Sequence, residues 1–194
     1  MSSGDEKLKS ALDIALEKAK RLGNLSYADK QRLKEEKLAV AAEALGKRYL
    51  EGLPLRDLEI ELGKREEDRR IVIRYLLSFL VSKINLKNPE EAKKILVAIQ
   101  HFSTAPSAAE NIRNLLNEYR SAVEQAWQEN HVALRKAKKK ELTLKGISGS
   151  AVVPEITISS EWLQIQQRLD SEYQKRLEWI KTHHYEALTD NKAP

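Results

Sequence analysis

The sequence predicts an all-α protein, a helical bundle followed by a long helical pair with one extended non-helical linker. Three observations carry that expectation. Apolar residues recur at helical spacing through most of the chain, glycine and proline are sparse and fall between those patterns, and strand signals are almost absent. The 194 residues suffice for a sizeable core without covalent staples.

Each element has its own start and stop. "LKSALDIALEKAKRLGN" places Leu8, Leu12, Ala15, Ala19 and Leu22 on one face, and Gly23 and Asn24 supply a C-cap, so a helix is expected from Glu6 to Leu22. Ser26 with Asp29 forms a capping box for a second helix, which Gly52 ends at Glu51. Pro54 suits the first turn of a short helix closed by Gly63. The next, Glu66 to Ile84, is apolar on most of its circumference, and its predicted core positions are Ile71, Ile73, Leu76, Leu77, Leu80 and Val81.

"NPEEA" gives an N-cap at Asn88, proline at N1 and Glu91 at N3 for a helix to His101. Ser107 and Glu110 read as a second capping box. The pattern behind them, Ile112 through Leu134 to Ala137, predicts a helix on the order of 50 Å long ending at Leu142. A last helix begins near Ser160 and runs to Leu188. Spacings of about 3.6 and 3.7 residues exclude the 3.5 repeat of a left-handed coiled coil for both long helices. The predicted organisation is a bundle over 5–104, a helical pair over 107–188 with its linker at 143–159, and a disordered tail at 189–194.

The linker, "KGISGSAVVPEITISSEW", breaks the helical pattern. Gly146 and Gly149 are hinges, and Pro154 keeps the following apolar run out of a central strand. A loop of about this length is usually functional or disordered. Its apolar content argues for an ordered, extended segment that is buried against a groove of its own bundle or adds a strand edge to a partner, with Val152, Val153, Ile156, Ile158 and Trp162 as the candidate partner-binding residues.

Charge is balanced except in one place. "RKAKKKELTLK", 135 to 145, holds six basic residues and one acidic residue, which leaves 28 of each elsewhere and accounts for the net +5. The block has two readings: cations completing a helix C-terminus, or contacts to RNA or an acidic protein, though no aromatic residue is interleaved to stack bases. A helix-turn-helix outline at 53–80 supplies the nucleic-acid alternative, with Arg69, Arg70, Arg74, Lys136, Lys138, Lys139 and Lys140 as candidate contacts. Glu66, Glu67 and Asp68 oppose it, because they open the would-be recognition helix with negative charge.

No catalytic, cofactor-binding or metal-ligating residue is assigned. The four histidines lack Glu-x-x-His and His-Glu-x-x-His spacing, and "GISGSA" lacks the endings of a phosphate loop or a nucleophile elbow. The absence of cysteine, of an apolar leader and of a run long enough to span a bilayer fits a cytoplasmic protein without a membrane partner. The expected function is a non-catalytic protein–protein interaction or assembly protein, self-associating or bound to a protein partner.

Overall fold

The computed structural model describes residues 26–104, 106–149 and 152–190. The expected helix at Glu6 to Leu22 and the last four residues of the expected tail lie outside them. Within the described residues the chain is all-α, with seven α-helices and no strand.

Helix α1 (Tyr27–Glu51) starts on the expected capping box: Ser26 Oγ accepts from Asp29 N at 3.1 Å, and the Asp29 carboxylate accepts from Ser26 N at 3.2 Å. It ends as a Schellman motif on Gly52, whose φ of 135° favours glycine, with Leu53 N donating to Arg48 O. Helix α2 (Leu55–Gly63) buries Leu58 and Leu62. Pro54 sits one residue outside it, with extended backbone.

The predicted helix at Glu66 divides. Glu66–Asp68 forms a 3-10 turn, and the α-helix proper, α3, covers Arg69–Lys83. Its buried residues are Val72, Ile73, Leu76, Leu77, Leu80 and Val81. Ile71 is therefore a correction: it is 37 % exposed, and Val72 takes the core position. In "IVI" every residue is apolar, so hydrophobicity alone cannot set the rotation of the helix. Ile71 shares a stripe with Arg74, Tyr75 and Ser78 at i, i+3, i+4 and i+7, and that stripe lines a groove.

Helix α4 (Pro89–Phe102) opens as expected, Asn88 Oδ1 accepting from Glu91 N at 3.2 Å. Helix α5 (Pro106–Leu144) begins one residue before Ser107, so Ser107 is not its cap, and Glu110 instead pairs with Arg113. At about 1.5 Å per residue its 39 residues extend about 58 Å, longer than the sequence pattern predicts. Helix α6 (Ser160–His183) returns antiparallel, capped by Ser159. The expected continuous helix to Leu188 breaks at His184, and a short α7 (Tyr185–Thr189) turns onto α3, burying Leu188 and Thr189. Thr189 and Asp190 are thus ordered, not part of a tail, and Asp190 O accepts from Thr104 N at 3.1 Å.

One core joins α1 through α4 with the proximal part of α5 (Ala108, Ala109, Ile112 and Leu115) and with Leu177 and Leu188. Gly46 lets α1 approach α3 closely, since a Cβ there would lie 2.4 Å from Phe79 Cδ1. Farther out, α5 and α6 hold a second, smaller core of Leu134, Ile156 and Trp162, with Val123, Ala126, Trp127 and Ile165 against it. The Trp127 and Trp162 rings meet edge to face, centroids 4.9 Å apart. The α5–α6 hairpin therefore carries its own packing out to the loop that closes it.

Candidate interaction site

Helix α5 ends in a second Schellman motif. Gly146 N donates to Thr143 O and Ile147 N to Leu142 O, both at 3.0 Å, and Gly146 has the φ of 79° that this cap requires. Beyond it the chain doubles back. Leu134 and Ile156 share one cluster although the helix ends at Leu144, so the strap crosses the last three turns of α5, a span of about 15 Å.

Between 152 and 157 burial alternates. Pro154 and Ile156 point inward and Val153, Glu155 and Thr157 outward, the period of an extended segment lying on a surface. Glu155 anchors the next turn by accepting from Thr157 Oγ1 at 2.5 Å and from Thr157 N at 2.9 Å, and these bonds, the hydroxyl's first, hold its carboxyl below the usual range. The five candidate docking residues consequently divide. Ile156 and Trp162 are buried in the hairpin's own core, and Val152 is half-buried; Val153 and Ile158 stand 79 % and 74 % exposed.

The basic block is sorted by the helix. Glu141, its single acid, pairs with both Lys138, at 2.7 Å, and Lys145. Those two ammonium groups pull the Glu141 carboxyl down to about 2. Arg135, Lys136, Lys139 and Lys140 lie on the other side of the helix, spaced by three and four residues, exposed. Among the described residues no ion pair engages any of the four. A continuous cationic ridge two turns long results, and Lys138, one of the sequence candidates, is not part of it.

The arginines of the helix-turn-helix outline lie elsewhere. Helix α3 is the centre of the core, and Arg70 and Arg74 line a groove of about 870 Å³ together with Glu35, Glu186 and Asp190. Arg69 is half-buried, its Nε without a hydrogen-bond partner among the described residues. From Ala109, in the core, to Lys136 is about 40 Å along α5. The two basic groups do not form one surface.

Sequence reasoning missed Leu144 and Ile147, which are 81 % and 49 % exposed beside the ridge, and Val132. The signal was present but weak: each is an apolar residue off the buried stripe. It also missed Leu134 and Trp127 as the seat for the strap. The histidines form no shared site; His183 stacks on Trp179 at 4.2 Å and His101 faces Glu59 at 3.5 Å. Among the described residues no group of three or more potential metal ligands occurs, and no helix is long and apolar enough to cross a membrane. The chain matches no known protein family, no curated protein and no solved structure.

Proposed function

We propose that this chain is a non-catalytic interaction protein whose bundle is the base and whose distal hairpin is the binding arm. One observation carries the reading. Glu141 occupies Lys138 and Lys145 and leaves four cations unpaired on the opposite side of the same two turns. Unpaired like charges repel one another along a helix, at a cost of a few tenths of a kcal/mol per pair, and an anionic partner relieves it. The exposed aliphatics beside the ridge give that partner an apolar contact as well.

A second copy of the chain is a poorer occupant of this face, because ridge against ridge brings like charges together. Sequence-specific DNA reading is poorer too. It needs the α3 arginines and the ridge to act together, and the arginines share their groove with three carboxylates.

The test is what the full chain retains from an extract of its native host at physiological salt. Wild type is compared with a variant carrying Arg135→Gln, Lys136→Gln, Lys139→Gln and Lys140→Gln, and with Arg70→Gln/Arg74→Gln as the control. Loss of retained material from the first variant alone is expected. Equal retention by all three overturns the hairpin as the binding arm.

A further inference from the structure

The hairpin tip combines two features that are uncommon together on a free surface. Its four unpaired cations occupy one side of α5, Leu144 and Ile147 are exposed at the turn that follows, and Val153 is exposed in the strap beyond it. Exposed large apolar residues such as Val40, Ile60 and Val97 stand on three different helices of the bundle, as on any protein surface. Cations with aliphatics at one projecting end point to a definite chemistry.

We propose that the hairpin tip is a peripheral membrane contact that docks on anionic phospholipid bilayers, the ridge against the headgroups and Leu144, Ile147 and Val153 in the interface. The proposal rests on the reading of the hairpin as a binding arm and names its partner. A bilayer recognises the patch by charge complementarity, because anionic leaflets attract clustered Lys and Arg. Aliphatic side chains then add burial at the acyl boundary, which a purely ionic partner does not offer.

Other partners fit less well. Single-stranded nucleic acid is bound by aromatic stacking as well as charge, and no Phe, Tyr or Trp occurs between 132 and 158. A helical peptide is seated in an apolar groove flanked by anchor pockets, whereas the ridge itself is four charged side chains, all exposed. The sequence expectation of no membrane partner concerned spanning helices, and a peripheral contact requires none.

The experiment is co-sedimentation of the full chain with vesicles. One set is phosphatidylcholine alone and the other contains about 30 mol % phosphatidylglycerol, a composition that carries the surface charge the ridge would sense. Wild type is expected to partition at least about a hundredfold more strongly onto the anionic vesicles. Each cation strengthens partitioning about fivefold, so the four-glutamine variant is expected to lose at least about a hundredfold. Leu144→Ser/Ile147→Ser is expected to bind at low salt and to lose the salt-resistant fraction that wild type keeps. Circular dichroism melts confirm that the variants fold.

A wild type that ignores anionic vesicles overturns the inference. Parallel arms with duplex DNA and with polyadenylate separate the levels of failure. Binding there that depends on the same four cations leaves the binding arm standing with a different partner. Absence of binding in every arm, with host retention unchanged by the four-glutamine variant, removes both readings.

Discussion

Lys181 Nζ donates a 2.7 Å hydrogen bond to the carbonyl oxygen of Ile84, 97 residues earlier in the chain. The lysine is buried, which is rare for its type, and it also pairs with Glu178 at 3.0 Å. Its position explains it. Ile84 is the C-cap of α3, where carbonyls lack helical partners and the dipole favours a cation. One side chain from α6 thus fixes the hairpin to the end of the central helix.

Replacing Lys181 with Met keeps most of the aliphatic bulk and removes the donor. The buried carbonyl is then left unsatisfied, at a cost of about 1–3 kcal/mol. Urea denaturation followed by circular dichroism is the measurement. A midpoint equal to that of wild type would show that water replaces the ammonium group without loss.

Leu77 and Ile71 test the rotation of α3. Leu77 is fully buried, so Leu77→Ala is expected to cost about 2–5 kcal/mol. Ile71→Ala removes a partly exposed side chain at the groove and is expected to cost less than about half as much. Equal losses at the two positions, read as melting temperatures, would contradict the burial described for the helix.

That pair also shows where the sequence was legible. Caps are local, so Ser26 with Asp29, Asn88 with Glu91 and the glycine at 52 could be read directly, and the structure realises each. Rotation is not local. A helix apolar on most sides, as at Ile71 to Ile73, is turned by its neighbours, and the break at His184 follows from Leu188 reaching the core, which no residue near 184 signals. At the hairpin the cations of the basic block could be counted but not sorted. Which of them remain unpaired depends on the helical positions of Lys138, Glu141 and Lys145.

Gly46 permits the close approach of α1 to α3. A Gly46→Ala substitution gains up to about 1 kcal/mol of helix propensity but drives a methyl group into the Phe79 ring. Overpacking typically costs about 1–3 kcal/mol, so a net loss is expected. Phe79→Ala in the same chain should absorb part of it. Strict additivity of the two substitutions in a double-mutant cycle would contradict the contact.

Alkali should loosen the neck of the hairpin. Tyr119 donates a 2.6 Å hydrogen bond to Asp170, and desolvation, with that hydrogen bond and the carboxylate's charge, pushes its phenol up to about 12. The folded state therefore holds the proton more tightly than the unfolded chain, whose tyrosine titrates near 10. The stabilisation is complete below about pH 10 and is lost as pH rises toward 12, because the folded state binds more protons in that window. Tyr119→Phe should flatten this part of the stability profile. An unchanged slope in urea melts between those two pH values would place the alkaline loss elsewhere.

Glu141 offers the sharpest link between the charge sorting and binding. Its carboxylate holds Lys138 and Lys145, and its depressed pKa means that the folded state keeps it ionised where the unfolded chain is already protonated. The resulting stabilisation is present above about pH 4.5 and is lost as pH falls toward 2. At neutral pH Glu141→Gln keeps the shape of the side chain and releases two ammonium groups, so the helix end changes little while the tip gains positive charge. Partitioning onto vesicles containing phosphatidylglycerol is therefore expected to strengthen about fivefold, the gain associated with one added positive charge, with a steeper dependence on salt. Weaker binding by this variant would mean that Glu141 itself contacts the partner, and unchanged binding would place the contact away from the end of α5.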